Sequence, residues 1–431
     1  MRFIIGIYFI ILCMAIRVNS FVGITWGRMQ SQQLVPSMVV DLLLQNQIPA
    51  VRLRTSGSDI SEIFSGTNIS LAITLVNNYM WQANRTDLAY TWVNDRVKNP
   101  INKGVNIVYL TVGTEPFSNT FMKEARTDQV VNVIKLIRQA LDDMGLGYVK
   151  TTTSHGMDVL KLTKIPSEAD FRDDIKQQML ESLEFYNQTG APFDLIMFPI
   201  HYIKEVLNYT MEFAYFDNKS GFKIQDGQIG WPTDGYPHAN IENAERFHKG
   251  FLKFIASNKG TPLKPGPIDV FLHSLSDENQ FRAIFGAFQR HWGIYEADGN
   301  PKYKIDFSLQ DRDTYPTQAK GIVKMPNRWC LFNGNREDMD LVNKNYNFAC
   351  NIADCTSLEK GGSCDGLSDD SKVSYAFNVF FQKHKQQVEL CDFDGLGEIR
   401  AENPSTGNCE FPVEILTFQD QAVKDGMILR I

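Results

Sequence analysis

NIVYLTVGTE, residues 106–115, followed by DQVVNVIKLIRQALDDMG, residues 128–145, decides the fold. The first segment is an apolar run of strand length. The second spaces its apolar residues three and four apart, as an amphipathic helix does. The same unit recurs along the chain. Other strand-like runs are FVGITWG (21–27), AVRLRT (50–55), SLAITLV (70–76), GYVKTTTSH (147–155), FDLIMFPI (193–200), GFKIQDGQIGW (221–231) and PIDVFLHSLSDE (267–278). Helical patterns such as VVDLLLQNQ and NAERFHKGFLKFIASN lie between them. Eight strands alternating with helices imply a parallel sheet closed into a (β/α)8 TIM barrel. One connection is out of pattern. HYIKEVLNYTMEFAYFDNKS, between the sixth and seventh strands, shows no long amphipathic helix, so that crossover is expected to be abbreviated.

The chain has 431 residues, more than one core usually accommodates. Met1–Ser20 has an early Arg, an apolar run and Val18-x-Ser20 before a cleavage point, the pattern of a secretory signal. The run is too short for a membrane span. Cleavage there removes Arg2 and Arg17 and no acid, moving the net charge from −7 to −9. An acidic chain of this kind is a poor nucleic-acid binder. Sequons at Asn68, Asn84, Asn187, Asn208 and Asn218 fit a secretory route to the extracellular space.

Cys13 leaves with the signal. The other six cysteines, at 330, 350, 355, 364, 391 and 409, all lie in the last quarter of the chain. An even number in a short secreted segment implies a disulfide framework, and spacing leaves the pairing open. No histidine partners these cysteines as in a zinc site, and Asp365, Asp369 and Asp370 lack calcium-loop spacing, so no metal and no cofactor is expected. The expected domains are a signal at 1–20, a barrel at 21–315, a linker at 316–328, a disulfide-rich module at 329–412 and a tail at 413–431. That tail is interrupted by charges and lacks a lipid-anchor end.

In such barrels the chemistry sits at the C-terminal strand ends. Those ends present Trp26, Glu115 in TVGTEPF, Phe198, Gln228 in GQIGWP and Glu278 in LSDENQF. A carboxyl after strand four facing a residue on strand seven is the layout of a retaining glycosidase. There one carboxylic acid protonates the leaving oxygen and a carboxylate attacks the anomeric carbon.

GITWG, VGTEPF, GQIGWPTDG, ASNKGTPLKPG and RHWGIYEADGNPKYKIDF together resemble plant glycoside hydrolase family 17, the glucan endo-1,3-β-glucosidases. RWC (328–330), ADCTSLEKGGSC (353–364), SYAFNVFFQ (374–382) and CDFDGLG (391–397) are similar to the carbohydrate-binding module of family 43. The resemblance implies pairing of Cys330 with Cys391, Cys350 with Cys355 and Cys364 with Cys409. It implies β-1,3-glucan as the partner of a monomeric wall protein. It puts Glu115 at the acid/base position, Gln228 at the nucleophile position and Glu278 in the cleft.

Other positions depart from the family pattern. Thr114 stands for an asparagine, Phe281 for a lysine, Gln289 for a glutamate and Phe198 for a tyrosine. Trp26, Trp231 and Trp292 are candidate sugar-stacking platforms beside them. An amide is a far weaker nucleophile than a carboxylate, so hydrolysis is expected to be impaired. Loss of that charge is also expected to let Glu115 ionise more readily. Two alternatives stand beside this reading. One is an active endo-glucosidase that recruits another acid such as Glu278; the other is a structural or signalling protein acting through the module.

Overall fold

The computed structural model describes residues 21–118, 127–161, 163, 168–201, 208, 210–217, 227–259 and 266–416. The signal, Asn218, residues 221–226 ahead of the seventh strand and the end of the tail lie outside the described residues.

Eight parallel strands close into a barrel in sequence order: β1 (Val22–Trp26), β2 (Ala50–Leu53), β3 (Ser70–Leu75), β4 (Asn106–Thr114), β5 (Lys150–Gly156), β6 (Asp194–Met197), β7 (Gly227–Ile229) and β8 (Val270–His273). Closure runs through β1 on β8, with Val22 opposite Val270 and Thr25 opposite His273. Strand alternation sorts the side chains. Val22, Ile24 and Trp26, like Leu71, Ile73 and Leu75, join the core between sheet and helices. The inward set is small or polar, including Thr25, Thr74 and Thr111, all buried. Phe271, Ala50 and Ala72 pack with Phe21 and Tyr109 as a separate inner cluster. Above it a buried ion pair crosses the barrel, Arg52 Nη2 on β2 to Asp194 Oδ2 on β6 at 3.0 Å. Ser154 Oγ donates to the same aspartate oxygen at 2.6 Å.

The outer helices include α1 (Pro36–Gln45), α2 (Asn77–Ala83), α3 (Thr86–Val93), α4 (Thr127–Asp143), α5 (Lys176–Thr189) and α6 (Ile241–Ala256). The expectation of an abbreviated crossover from β6 to β7 falls largely on residues outside the described ones. The crossover's described residues hold only a turn at Pro199–His201 and a 3-10 turn at Met211–Ala214. Among the described residues, aromatics pack this segment onto the barrel and α6. Tyr215 packs on Trp231 at 5.0 Å between ring centres, and Phe216 on Phe251 of α6 at 5.3 Å. Arg246 of α6 pins the segment. It lies 4.1 Å over the Tyr215 ring and bonds Glu212 at 2.7 Å and Asp217 at 2.5 Å.

The second core belongs to the disulfide-rich module, built from α7 (Met339–Ile352), α8 (Asp369–Lys383) and an antiparallel pair, β9 (Trp329–Phe332) with β10 (Gly397–Arg400). Its disulfides are Cys330–Cys391, Cys350–Cys355 and Cys364–Cys409, the pairing that the family resemblance implies. Residues 414–416 then return to the barrel. Met325 N–H donates to Glu414 O at 2.9 Å, Leu416 N–H to Val323 O at 2.8 Å, and Ile415 joins the barrel core.

The module docks on the loops after β7 and β8. Asp234, in the Trp-Pro-Thr-Asp-Gly turn, accepts Ser363 N–H at 2.6 Å and Ser363 Oγ–H at 2.8 Å. Arg290 bonds Asp354 at 2.8 Å, and His291 Nε2 lies 2.8 Å from Thr356 Oγ1. Lys383 donates to Gln280 Oε1 at 2.5 Å, and Ser31 Oγ to Glu414 Oε1 at 2.6 Å.

Candidate active site

Glu115 follows the last residue of β4 with φ of 48°, a left-handed conformation unusual for a residue with a side chain. Its N–H bonds Ser154 O at 3.0 Å, which ties the distorted strand end to β5. Strain of this kind concentrates where a side chain must be aimed. The neighbouring Thr114 is clamped from α2. Asn77 Oδ1 accepts Thr114 N–H at 2.8 Å, and Asn77 Nδ2 donates to Thr114 O at 2.9 Å. Space for the Glu115 carboxyl is left by Gly156, where a Cβ would lie 2.4 Å from Oε1.

The Glu115 pKa is raised to about 7, first by burial and then by the Asp158 charge, with Arg54 pulling against both. With an uncharged residue at 228, the charge that raises the Glu115 pKa is that of another carboxylate, Asp158. Burial and a different carboxylate keep its proton on near neutrality.

Gln228 is buried in the middle of β7. Its Nε2 lies 2.5 Å from His273 Nδ1 at the end of β8. An amide N–H donates, so the imidazole accepts at Nδ1 and is neutral. Burial holds His273 well below its ordinary pKa, with Arg54 and Arg52 adding to the effect. Gln228 and His273 thus form an uncharged amide–imidazole pair at this end of the barrel. Phe198 and Trp292 wall the pair, with Phe198 4.4 Å from Trp292 and each 5.4 Å from His273. His273 is the residue that sequence reasoning passed over. Its signal was a histidine inside an otherwise apolar strand, VFLH, which alone reads as a core residue.

Glu278 is buried and already engaged. Oε1 accepts Met29 N–H at 3.0 Å, and Oε2 pairs with Arg54 Nη1 at 3.3 Å. The carboxylate fits against the chain only because residue 27 is glycine, where a Cβ would lie 2.1 Å from Oε1. Phe281 supports the other side of this pair, with the Arg54 guanidinium 4.6 Å over its ring. A cation therefore stands beside Phe281, supplied by the residue directly after β2.

Three sequence candidates are placed elsewhere. Trp231 is fully buried in the core, and its Nε1–H donates to His238 O at 3.1 Å, so it offers no ring face to a sugar. Trp26 points outward from β1 and packs edge-on to Phe64 at 6.3 Å, because alternation puts Thr25 and not Trp26 inside. Gln289 is buried and its Oε1 accepts Phe285 N–H at 2.5 Å, closing its own loop. Thr114, Phe198, Phe281, Glu115, Gln228 and Glu278 remain at the C-terminal end of the barrel. No cluster of metal-ligating side chains occurs among the described residues.

Residues 22–227 and 219–307 match Glycosyl hydrolases family 17, and residues 328–398 match the X8 domain. The chain is 32% identical over 448 residues to Glucan endo-1,3-beta-glucosidase 8 of Arabidopsis thaliana, covering 96% of this chain and 93% of that one. It is 33% identical to Glucan endo-1,3-beta-glucosidase 5 of the same plant, over 91% of this chain and 88% of the relative. Among solved structures it is similar to CJP38, a beta-1,3-glucanase and allergen of Cryptomeria japonica pollen. The TM-score is 0.62 at 26% identity, over 68% of this chain and 100% of CJP38. The barrel, the strand-end carboxyls and these likenesses agree: the chain belongs to glycosyl hydrolase family 17 and carries a C-terminal X8 domain.

Proposed function

We propose that this protein binds β-1,3-glucan of the callose type and hydrolyses it weakly or not at all. The observation that carries the reading is the Gln228–His273 pair, which leaves no carboxylate at the nucleophile position. Retaining hydrolysis needs one carboxyl to give a proton and a second to attack the anomeric carbon. Glu115 supplies the first, with a pKa of about 7 suited to donating a proton. An amide hydrogen-bonded to imidazole does not supply the second. Glucan contacts are assigned to Thr114, Phe198, Phe281 and the rim around Glu278, and further contacts to the X8 module.

The active alternative, with Glu278 as the second acid, is disfavoured by that residue's own bonds. Moving it to attack a sugar breaks its contacts with Arg54 and Met29 N–H. The reading as a protein acting through the module alone is weakened by the docking, which joins the module to the loops after β7 and β8.

We assign the protein to the extracellular space as a monomer, with residues 1–20 as its signal. Asn68, Asn187 and Asn208 are exposed and open to glycosylation. Asn84 is half-buried and accepts from Asn132 at 2.7 Å, a poorer acceptor site, and Asn218 completes the sequons. The direct test is laminarin: calorimetry for binding and reducing-end release for hydrolysis. Binding with negligible turnover is the expected result, and turnover at ordinary glucanase rates overturns the reading.

A further inference from the structure

We propose that Asp158 is the positioning residue for the Glu115 carboxyl, holding its proton in place from the β5 side in a barrel that has no charge at residue 228. This rests on Glu115 being the acid/base of the site.

Asp158 lies in the turn Met157–Val159, directly after β5. The empty space over Gly156 is where the two carboxyls meet. A Cβ there would lie 2.4 Å from Glu115 Oε1 and 3.0 Å from Asp158 Oδ1. That Asp158 oxygen is buried and has no hydrogen-bond partner among the described residues. Its other oxygen accepts Ser118 Oγ–H at 2.7 Å, and Ser118 N–H in turn donates to Glu115 O at 3.0 Å. Arg172 sews the same two loops together. It donates to Asp158 O at 2.6 Å and to Phe117 O at 2.9 Å, while Asp158 Oδ2 is 3.9 Å from its Nη1. The segment after β4 and the turn after β5 thus hold the two side chains in one arrangement.

Among the described residues one further charge acts on Glu115: Arg54, directly after β2, which is paired with Glu278 and stacked on Phe281. Gln228 on β7 and His273 on β8 are paired with each other as uncharged groups. Two carboxyls close together do not ionise independently, and one keeps its proton. In a retaining glycosidase the nucleophile is that second carboxylate. Here it comes from the adjacent strand, on a residue with no part in attacking the sugar.

The test is a titration of the Glu115 side-chain carbon by NMR in the full chain labelled at glutamate, with the resonance identified by its loss in Glu115→Gln. Asp158→Asn keeps the shape and removes the charge. The Glu115 midpoint is expected to fall by roughly one pH unit. Ser118→Ala, which releases Asp158 without altering either carboxyl, is expected to move it in the same direction and serves if Asp158→Asn folds poorly. A midpoint that stays put or rises in the variants overturns the proposal. The readout needs no turnover, so its failure is separate from that of the glucan-binding reading, which laminarin calorimetry on the wild type decides.

Discussion

At residue 228 a buried amide is matched by an uncharged partner next to it. His273 accepts the amide N–H at 2.5 Å, and the two neutral groups satisfy each other in a buried site. Restoring only the carboxylate therefore does not restore a nucleophile. Glu at 228 would face an imidazole that takes up a proton and pairs with it, drawing away the charge that attack requires. Gln228→Glu is expected to leave laminarin turnover within a few-fold of wild type. Gln228→Glu with His273→Phe, whose ring fits against Phe198 and Trp292, is expected to raise it by about 10²-fold or more. Reducing-end assays on the two variants decide this, and equal activity in both would show that His273 plays no part.

At the scale of elements, the site depends on contacts that cross from one strand to another. Arg52 on β2 and Asp194 on β6 form a buried bridge through the barrel, and Arg52 also lies 4.6 Å over Phe271. Arg52→Met leaves Asp194 as an uncompensated buried charge, at an expected cost of about 3–5 kcal/mol in unfolding free energy. Chemical denaturation measures it, and a loss below 1 kcal/mol would mean that water reaches the aspartate. Gly27→Ala tests the β1 end. The added methyl collides with the Glu278 carboxylate and pushes it off Met29 N–H and Arg54. Laminarin affinity should drop by about tenfold or more while the far-UV spectrum is retained. An unchanged Kd would remove Glu278 from the binding surface. The strands themselves were legible because each is a compact apolar run bounded by turn residues. What periodicity could not show was that Tyr215, Phe216 and Arg246 would fasten the segment before β7 to Trp231 and α6.

Across the whole molecule, the module and the barrel share an interface that titrates. Glu414 is pinned by Ser31, Asn279 and Lys383, yet burial raises its pKa from 4.5 to about 7, outweighing those partners. A carboxyl raised in the docked state gives its full contribution to docking below pH 4.5 and loses it as pH rises through 7. Docking is expected to be tighter at pH 5 than at pH 8. Calorimetry should then show the two domains unfolding closer together at the lower pH, with Glu414→Gln flattening the difference. Separation that is the same at both pH values would place the titration elsewhere. The interface also explains why Asp234, in the most recognisable turn of the sequence, is not part of the reacting site. It holds Ser363 of the module.

The amino-acid sequence alone was enough to establish the closed barrel, the two cores and the family, because periodicity, cysteine placement and short turn motifs are local properties of the chain. It was also enough to bring Glu115, Gln228 and Glu278 to the same end of the barrel. Which tryptophans face outward, which oxygen meets which, and that His273 and Asp158 flank the two key residues depended on packing across strands far apart in sequence. The Glu115 proton is the clearest case. Sequence reasoning weighed only the missing charge at residue 228, while burial and Asp158 came from the tertiary structure, since a pKa follows from the groups that surround a side chain in space.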